Sequence, residues 1–236
     1  MPIPLVIAHR GDSSNAVENS LDAIHRALSL PVDMIELDIR KSRDNGLFVM
    51  HDTLTGRTAG NDVNIERATS DAIGRIRLNN GEPVPTLTDV IKAVAGSAGL
   101  NFEIKSDGAG LLTAEYFASS AYNGYVLLSS FKEEEILAVR RALPSMPTSL
   151  IFDVFTEREA PSYREQGYRI ISLKKKTVSK KLVDTCHEQG IDVYVWTVDD
   201  EVEMRQFIAW GVDGIYSNKP RVLKKLLERS ELRARS

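Results

Sequence analysis

The feature that most restricts the fold of this chain is a strict alternation of short apolar runs with helix-like segments. The runs are Leu5–Ala8, Met34–Ile39, Leu100–Ile104, Tyr125–Ser129, Thr148–Phe152, Arg169–Ser172, Val193–Thr197 and Gly214–Tyr216. Most are rich in Val, Ile, Leu or Tyr, the composition of strands buried on both faces. Between them, Ser20–Leu30, Leu87–Ala95, Leu111–Ser119, Glu133–Leu143, Lys180–Gln189 and Glu201–Trp210 read as helices. Asn19 or Ser20 caps the first helix, and Asp199 or Asp200 caps the one from Glu201. Gly190 and Gly211 follow helical stretches, where a left-handed residue is needed. Repeated β-α units require a parallel sheet, and eight of them predict a closed (β/α)8 TIM barrel. The pattern alone leaves an open doubly wound sheet as the alternative. The chain has 236 residues, close to the roughly 250 of a single barrel, so one domain over 1–236 is expected.

One segment departs from the alternation. Leu47–Met50 is strand-like and follows the second run after only Arg43-Asp44-Asn45-Gly46. That turn is too short for a crossover helix, so the pair should form an antiparallel hairpin. Residues 52–85 then become a small insertion over the barrel mouth, after the second strand, with a short helix near Thr69–Ile76 capped by Thr69 or Ser70. The basic stretch Arg221–Arg235 reads as a last amphipathic helix with a frayed end.

Composition excludes several function classes. A formal net charge of −3 provides no global basic field for nucleic acid. The single cysteine, Cys186, can form neither an internal disulfide nor a thiolate metal site. The N-terminal run is too short for a signal peptide, and no apolar run reaches the ~20 residues of a membrane span. A reduced, cytoplasmic setting is the expectation. Oligomeric state is not written in the sequence.

Barrel chemistry collects at the carboxyl ends of strands. His9-Arg10-Gly11 follows the first strand, and Gly11 allows a sharp exit. Glu36 and Asp38 share a face of the second strand by the two-residue period. Two like charges in an apolar interior need a cation or a basic partner. Glu103 and Lys105 share a face at the end of the third strand, and neighbouring strands ~4.8 Å apart bring all three carboxylates within reach of one ion. Three carboxylates form a hard oxygen site, suited to Mg²⁺ or Ca²⁺, with Mn²⁺ as a further candidate. A dication and three carboxylates leave one negative charge, a phosphodiester adds another, and Arg10 with Lys105 neutralises both. Arginine suits phosphate through its planar fork. His51 ends the hairpin strand and would hang over the same mouth as His9, as an acid–base pair. His25 and His187 fall within helices and read as structural.

These residues resemble the glycerophosphodiester phosphodiesterase family. The similarity runs through His9-Arg10-Gly11, Glu18-Asn19-Ser20, Glu36-Leu37-Asp38, His51-Asp52, Arg57-Thr58, Gly81–Leu87, Glu103-Ile104-Lys105, Ser130-Phe131, Val195–Val198 and Gly211–Gly214, in family order. The resemblance implies a TIM barrel, metal ligation by Glu36, Asp38 and Glu103, and acid–base catalysis by His9 and His51. It implies phosphate contacts from Arg10 and Lys105, and apolar walls from Phe131 and Trp196. Glu18 and Asn19 would brace the first loop. The reaction implied splits a small glycerophosphodiester into glycerol 3-phosphate and an alcohol. Val17, Thr55 and Asn218 stand where the family usually has proline, leucine and aspartate. Two other readings compete: a lysophospholipase D-like enzyme acting on a lipid, and a non-catalytic barrel that binds a phosphorylated ligand.

Overall fold

The computed structural model describes residues 3–234, with side chains through Glu228. Met1, Pro2, Arg235 and Ser236 lie outside the described residues, and with them the start of the N-terminal apolar run and the frayed end expected of the basic C-terminal stretch. Eight parallel strands close on one another: β1 (Leu5–His9), β2 (Met34–Lys41), β4 (Gly99–Ile104), β5 (Val126–Ser130), β6 (Thr148–Phe152), β7 (Ile170–Lys174), β8 (Asp192–Trp196) and β9 (Gly214–Ser217). Pairing of β1 with both β2 and β9 shuts the ring. This is the TIM barrel rather than the open sheet. The ninth strand, β3 (Leu47–Val49), lies antiparallel on the far end of β2, as the short turn requires. Asn45 takes φ 68° in that turn, a region asparagine tolerates better than most residues.

Strand periodicity sorts the side chains. Ala8, Ile35, Leu37, Ile39, Leu100, Phe102 and Ile104 face outward and are fully buried beneath helices. The alternate residues Ile7, Met34, Leu127, Tyr194 and Tyr216 fill the barrel interior. Moving toward the carboxyl ends, the same inward positions turn polar. This change of character along one face creates the site.

The helices are α1 (Leu21–Leu28), α4 (Leu87–Val94), α5 (Ala109–Ser119), α6 (Glu133–Ala142), α7 (Ala160–Glu165), α8 (Lys180–Glu188), α9 (Glu201–Trp210) and α10 (Pro220–Ala234). Ser20 caps α1 by accepting from Ala23 N–H, and Asp200 caps α9 by accepting from Val202 and Glu203 N–H. Thr86 and Asp89 form a reciprocal capping box on α4. Helix α7 has no counterpart in the sequence reading. It is short and starts Ala160-Pro161, so its six residues carry too little periodicity to show an apolar face.

Between β3 and α4 the chain forms α2 (Gly56–Ala59), a 3-10 turn at Ile65–Arg67 and α3 (Ser70–Gly74), with Thr69 as the α3 cap. These pieces pack on a separate apolar cluster that includes Phe48, Met50, Ile65, Ile73, Ile76, Leu78 and Val84. No helix among the described residues is long and apolar enough to cross a membrane.

Candidate active site

Strand register aligns the polar inward positions. His9 pairs with Glu36, and Glu36 pairs with Asn101. One step higher, Asp38 pairs with Glu103, and Glu103 with Ser129. Two adjacent rows thus carry the three carboxylates, whose ligand atoms lie within 4.8 Å of one another. They stand at 3%, 1% and 9% exposure for Glu36, Asp38 and Glu103.

The donor set fits a hard divalent cation. Glu36 Oε1 is buried and has no hydrogen-bond partner, while its Oε2 accepts Arg10 N–H at 3.0 Å. Asp38 Oδ1 likewise accepts no hydrogen bond, and Lys105 Nζ stands 3.3 Å from it. A buried carboxylate oxygen without a partner is costly, and a dication removes that cost. Burial, then Asp38 and Glu103, pushes the Glu36 carboxyl well above its ordinary range. Burial and Asp38 likewise push Glu103 up to about 7. Asp38 goes the other way: burial opposes its charge, but Lys105 and Arg10 hold it below the ordinary value. Asp38 contacts both Arg10 and Lys105, Glu103 contacts Lys105 alone, and Glu36 is left with an oxygen that has no hydrogen-bond partner.

Asp38 is gripped from several sides. Arg10 Nε lies 3.3 Å from its Oδ2, and Lys105 also bonds Glu103 at 2.5 Å. The pairing of acids with basic side chains and the grouping suited to a cation therefore coexist. Arg10 donates to Glu18 Oε1 at 2.8 Å, and Glu18 takes both terminal nitrogens of Arg57. Arg57 Nε bonds Asp52 Oδ2, and Asp52 Oδ1 lies 2.6 Å from His51 Nδ1. An unbroken chain of charged contacts thus links His51 to Asp38. Burial opposes the Asp52 charge, but the bonds from Arg57 and His51 hold its carboxyl down at about 2.

His51 is fixed through its backbone. Met50 N–H donates to Asp38 O at 3.0 Å, and Arg40 Nε donates to His51 O at 2.8 Å. His9 sits across the site with Nδ1 2.7 Å from Asn218 Oδ1. Burial, then the Arg10 charge, lowers its pKa to about 4. Burial also lowers that of His51. Both rings line one cavity of about 220 Å³ together with Arg10, Glu36, Glu103, Lys105, Phe131 and Trp196. Phe131 and Trp196 meet edge to face, ring centres 5.6 Å apart, and Phe131 is 45% exposed.

The two histidines expected in helices lie outside this cavity, His25 on α1 and His187 on α8. His187 bonds Asp213 on the barrel exterior at 2.8 Å. Sequence reading missed the polar floor: Asn101 donates to Tyr216 OH, Ser129 donates to Asn101, and Ser172 bonds Tyr216. Asn101 had a usable signal, lying two residues before Glu103 on the same face.

A closed parallel barrel with its ionisable groups gathered at the carboxyl ends of the strands defines a TIM-barrel enzyme. A model of the glycerophosphoryl diester phosphodiesterase family matches residues 9–222, and the chain belongs to that family, whose members are phosphoric diester hydrolases. It is 31% identical to a glycerophosphodiester phosphodiesterase of Caldanaerobacter subterraneus subsp. tengcongensis, across 95% of this chain and 98% of the relative. The crystal structure of a glycerophosphodiester phosphodiesterase from Parabacteroides distasonis superposes with a TM-score of 0.86 at 26% identity, covering 97% of this chain and 98% of that one. An Oleispira antarctica phosphodiesterase in complex with the product sn-glycerol-3-phosphate shares the fold, with a TM-score of 0.89 at 21% identity over 96% and 97% of the two chains.

Proposed function

We propose that this protein hydrolyses water-soluble glycerophosphodiesters to glycerol 3-phosphate and an alcohol, with a divalent cation and with His9 and His51 as the proton-transfer pair. The observation that carries the reading is the register of β1, β2 and β4, with β3 paired on β2, which groups three carboxylates beside a cavity lined by His9, His51, Glu36 and Glu103. Family membership and the product bound in the Oleispira relative support the substrate class.

Arg10 and Lys105 bind the diester phosphate and offset its charge, Arg10 through its planar fork. A cation of the Mg²⁺, Ca²⁺ or Mn²⁺ kind, held by Glu36, Asp38 and Glu103, supplies Lewis-acid polarisation of a phosphoryl oxygen. One histidine takes the proton of the attacking hydroxyl and the other protonates the leaving alkoxide. Phe131 and Trp196 wall the alcohol side and keep water from it. Residues 52–85 form a small insertion over the mouth; the apolar cluster it packs on and the contact of Asp52 with His51 Nδ1 speak for that reading.

One observation favours a second reading, a lysophospholipid substrate. A groove of about 450 Å³, with Leu150, Phe152 and Phe155 on one part of its lining and Glu133, Arg158 and Glu159 on another, shares Phe131 and Ile151 with the cavity. The deciding experiment incubates the protein and a divalent cation with glycerophosphocholine or with detergent-dispersed lysophosphatidylcholine. Release of glycerol 3-phosphate from the first is the expected result. Turnover of the lipid alone would transfer the assignment to the second reading, and turnover of neither would remove both.

A further inference from the structure

Asn218 lies between two groups of opposite demand. Its Nδ2 donates to Asp199 Oδ2 at 2.7 Å, and its backbone N–H donates to Asp199 Oδ1 at 2.8 Å. Ser217 Oγ also donates to Asp199 Oδ1, at 3.0 Å. Turning the amide over would set its oxygen against a carboxylate oxygen, two acceptors with no proton between them. The amide oxygen must therefore face the other way, toward His9 Nδ1 at 2.7 Å. Ser13 Oγ reaches that oxygen too, at 2.9 Å, and the carbonyl of His9 at 2.8 Å.

An amide oxygen only accepts, so the proton of the His9–Asn218 bond belongs to Nδ1. A neutral imidazole carries a single N–H, which leaves Nε2 bare. That nitrogen is on the Glu36 side of the ring, 3.9 Å from Glu36 Oε2, and His9 lines the cavity. Asp199 thus orients an amide, the amide selects a tautomer, and the tautomer selects which nitrogen can accept a proton.

We propose that Asn218 is a positioning residue that locks neutral His9 in the Nδ1–H tautomer, so that His9 Nε2 is the base of the reaction and His51 the acid. This rests on the reading of the two histidines as the proton-transfer pair. In the step, the O–H bond of the attacking hydroxyl breaks and its proton goes to His9 Nε2. The oxygen pair forms the new P–O bond. The P–O bond to the alcohol breaks, and the leaving oxygen takes its proton from His51 Nε2, while His51 Nδ1 stays with Asp52. An aspartate at 218 would accept the same bond, but it has no N–H for Asp199. The amide serves both neighbours at once.

The test is nitrogen NMR of the full-length protein labelled with ¹⁵N-histidine. The chain has four histidines, so single His→Gln variants assign every signal. The proposal expects His9 protonated at Nδ1 and bare at Nε2 in the wild type; a proton on Nε2 overturns it. In Asn218→Ala, with the fold checked by circular dichroism, the Nδ1 preference should be lost. Its kcat should then drop at least ~10-fold at little-changed KM, part of the ~100- to 10,000-fold a positioned base supplies. Asn218→Asp, which keeps the acceptor, should keep the Nδ1 proton. An altered tautomer in Asn218→Ala with unchanged kcat overturns the positioning role. If the wild type turns over no glycerophosphodiester, the functional reading falls, and the NMR of His9 still decides the tautomer.

Discussion

Asn19 holds Asp38 at both ends: its Nδ2 donates to Asp38 Oδ2 at 2.8 Å, and its Oδ1 accepts the Asp38 backbone N–H at 3.2 Å. Asn19 does this from a left-handed backbone, φ 60°, on the loop after β1. A carboxylate amid like charges keeps its aim only if something outside the charge cluster fixes it. An amide does so without adding charge.

Replacing Asn19 by alanine removes both bonds and sets a Cβ residue at positive φ without the local hydrogen bonding that makes asparagine tolerable there. The loss of a buried partner is expected to cost about 1–3 kcal/mol. Thermal melting reads the stability, and calorimetric titration with Mn²⁺ reads the cation. Lower melting together with weaker Mn²⁺ binding is the expected pair of results. Weaker melting with unchanged binding would mean that Asn19 supports the loop and not the aim of Asp38.

Glu18 joins the two arginines that flank the site, accepting from Arg10 at 2.8 Å and from Arg57 at 2.7 Å on the same oxygen. Burial opposes its charge, yet the bonds from Arg57 and Arg10 hold its pKa below the ordinary value. Glu18→Gln neutralises that bridge and leaves two guanidinium groups facing each other. A charge-assisted bond of this kind is worth about 1.5–3 kcal/mol. KM for glycerophosphocholine should rise because Arg10 keeps only its contact with Asp38, and raised salt should partly restore it by screening the arginines. Wild-type KM in the variant would separate Arg10 from phosphate binding.

Much of this arrangement was legible in the sequence. Glu36 and Asp38 declare themselves by a two-residue spacing inside an apolar strand, and Glu103 by the same period one strand along. The hairpin was readable because four turn residues cannot hold a crossover. The contacts that refine the site were not readable. His9 and Asn218 are 209 positions apart and meet only because β9 closes onto β1. Glu18 and Arg57 are 39 apart and meet through the segment after β3. Asn218 stands out in the sequence as a departure from the family pattern, but its partner is invisible until the ring closes.

Cys186 is fully buried on α8, as expected of a structural thiol. Burial, reinforced by Asp213 and Glu157, pushes its pKa from 9 up to about 11. The folded chain therefore keeps a proton that the unfolded chain loses first. Its contribution to stability is complete below about pH 9 and declines as pH rises toward about 11, by at most about 1.4 kcal/mol per pH unit. Urea unfolding across this window should show a steeper alkaline decline for the wild type than for Cys186→Ala. In the native protein at neutral pH the thiol should not react with Ellman's reagent, and it should react fully in urea.

The proposed reaction requires a divalent cation held by Glu36, Asp38 and Glu103. The most direct measurement strips the protein with a chelator, assays glycerophosphocholine cleavage, and then restores Mg²⁺, Ca²⁺ or Mn²⁺ in turn, with Glu36→Gln and His51→Ala alongside. The stripped wild type should release no glycerol 3-phosphate and should recover with at least one cation. Turnover in both variants should be at least ~100-fold lower even with the cation present. Full activity in the stripped wild type, or wild-type turnover in Glu36→Gln, would contradict that requirement.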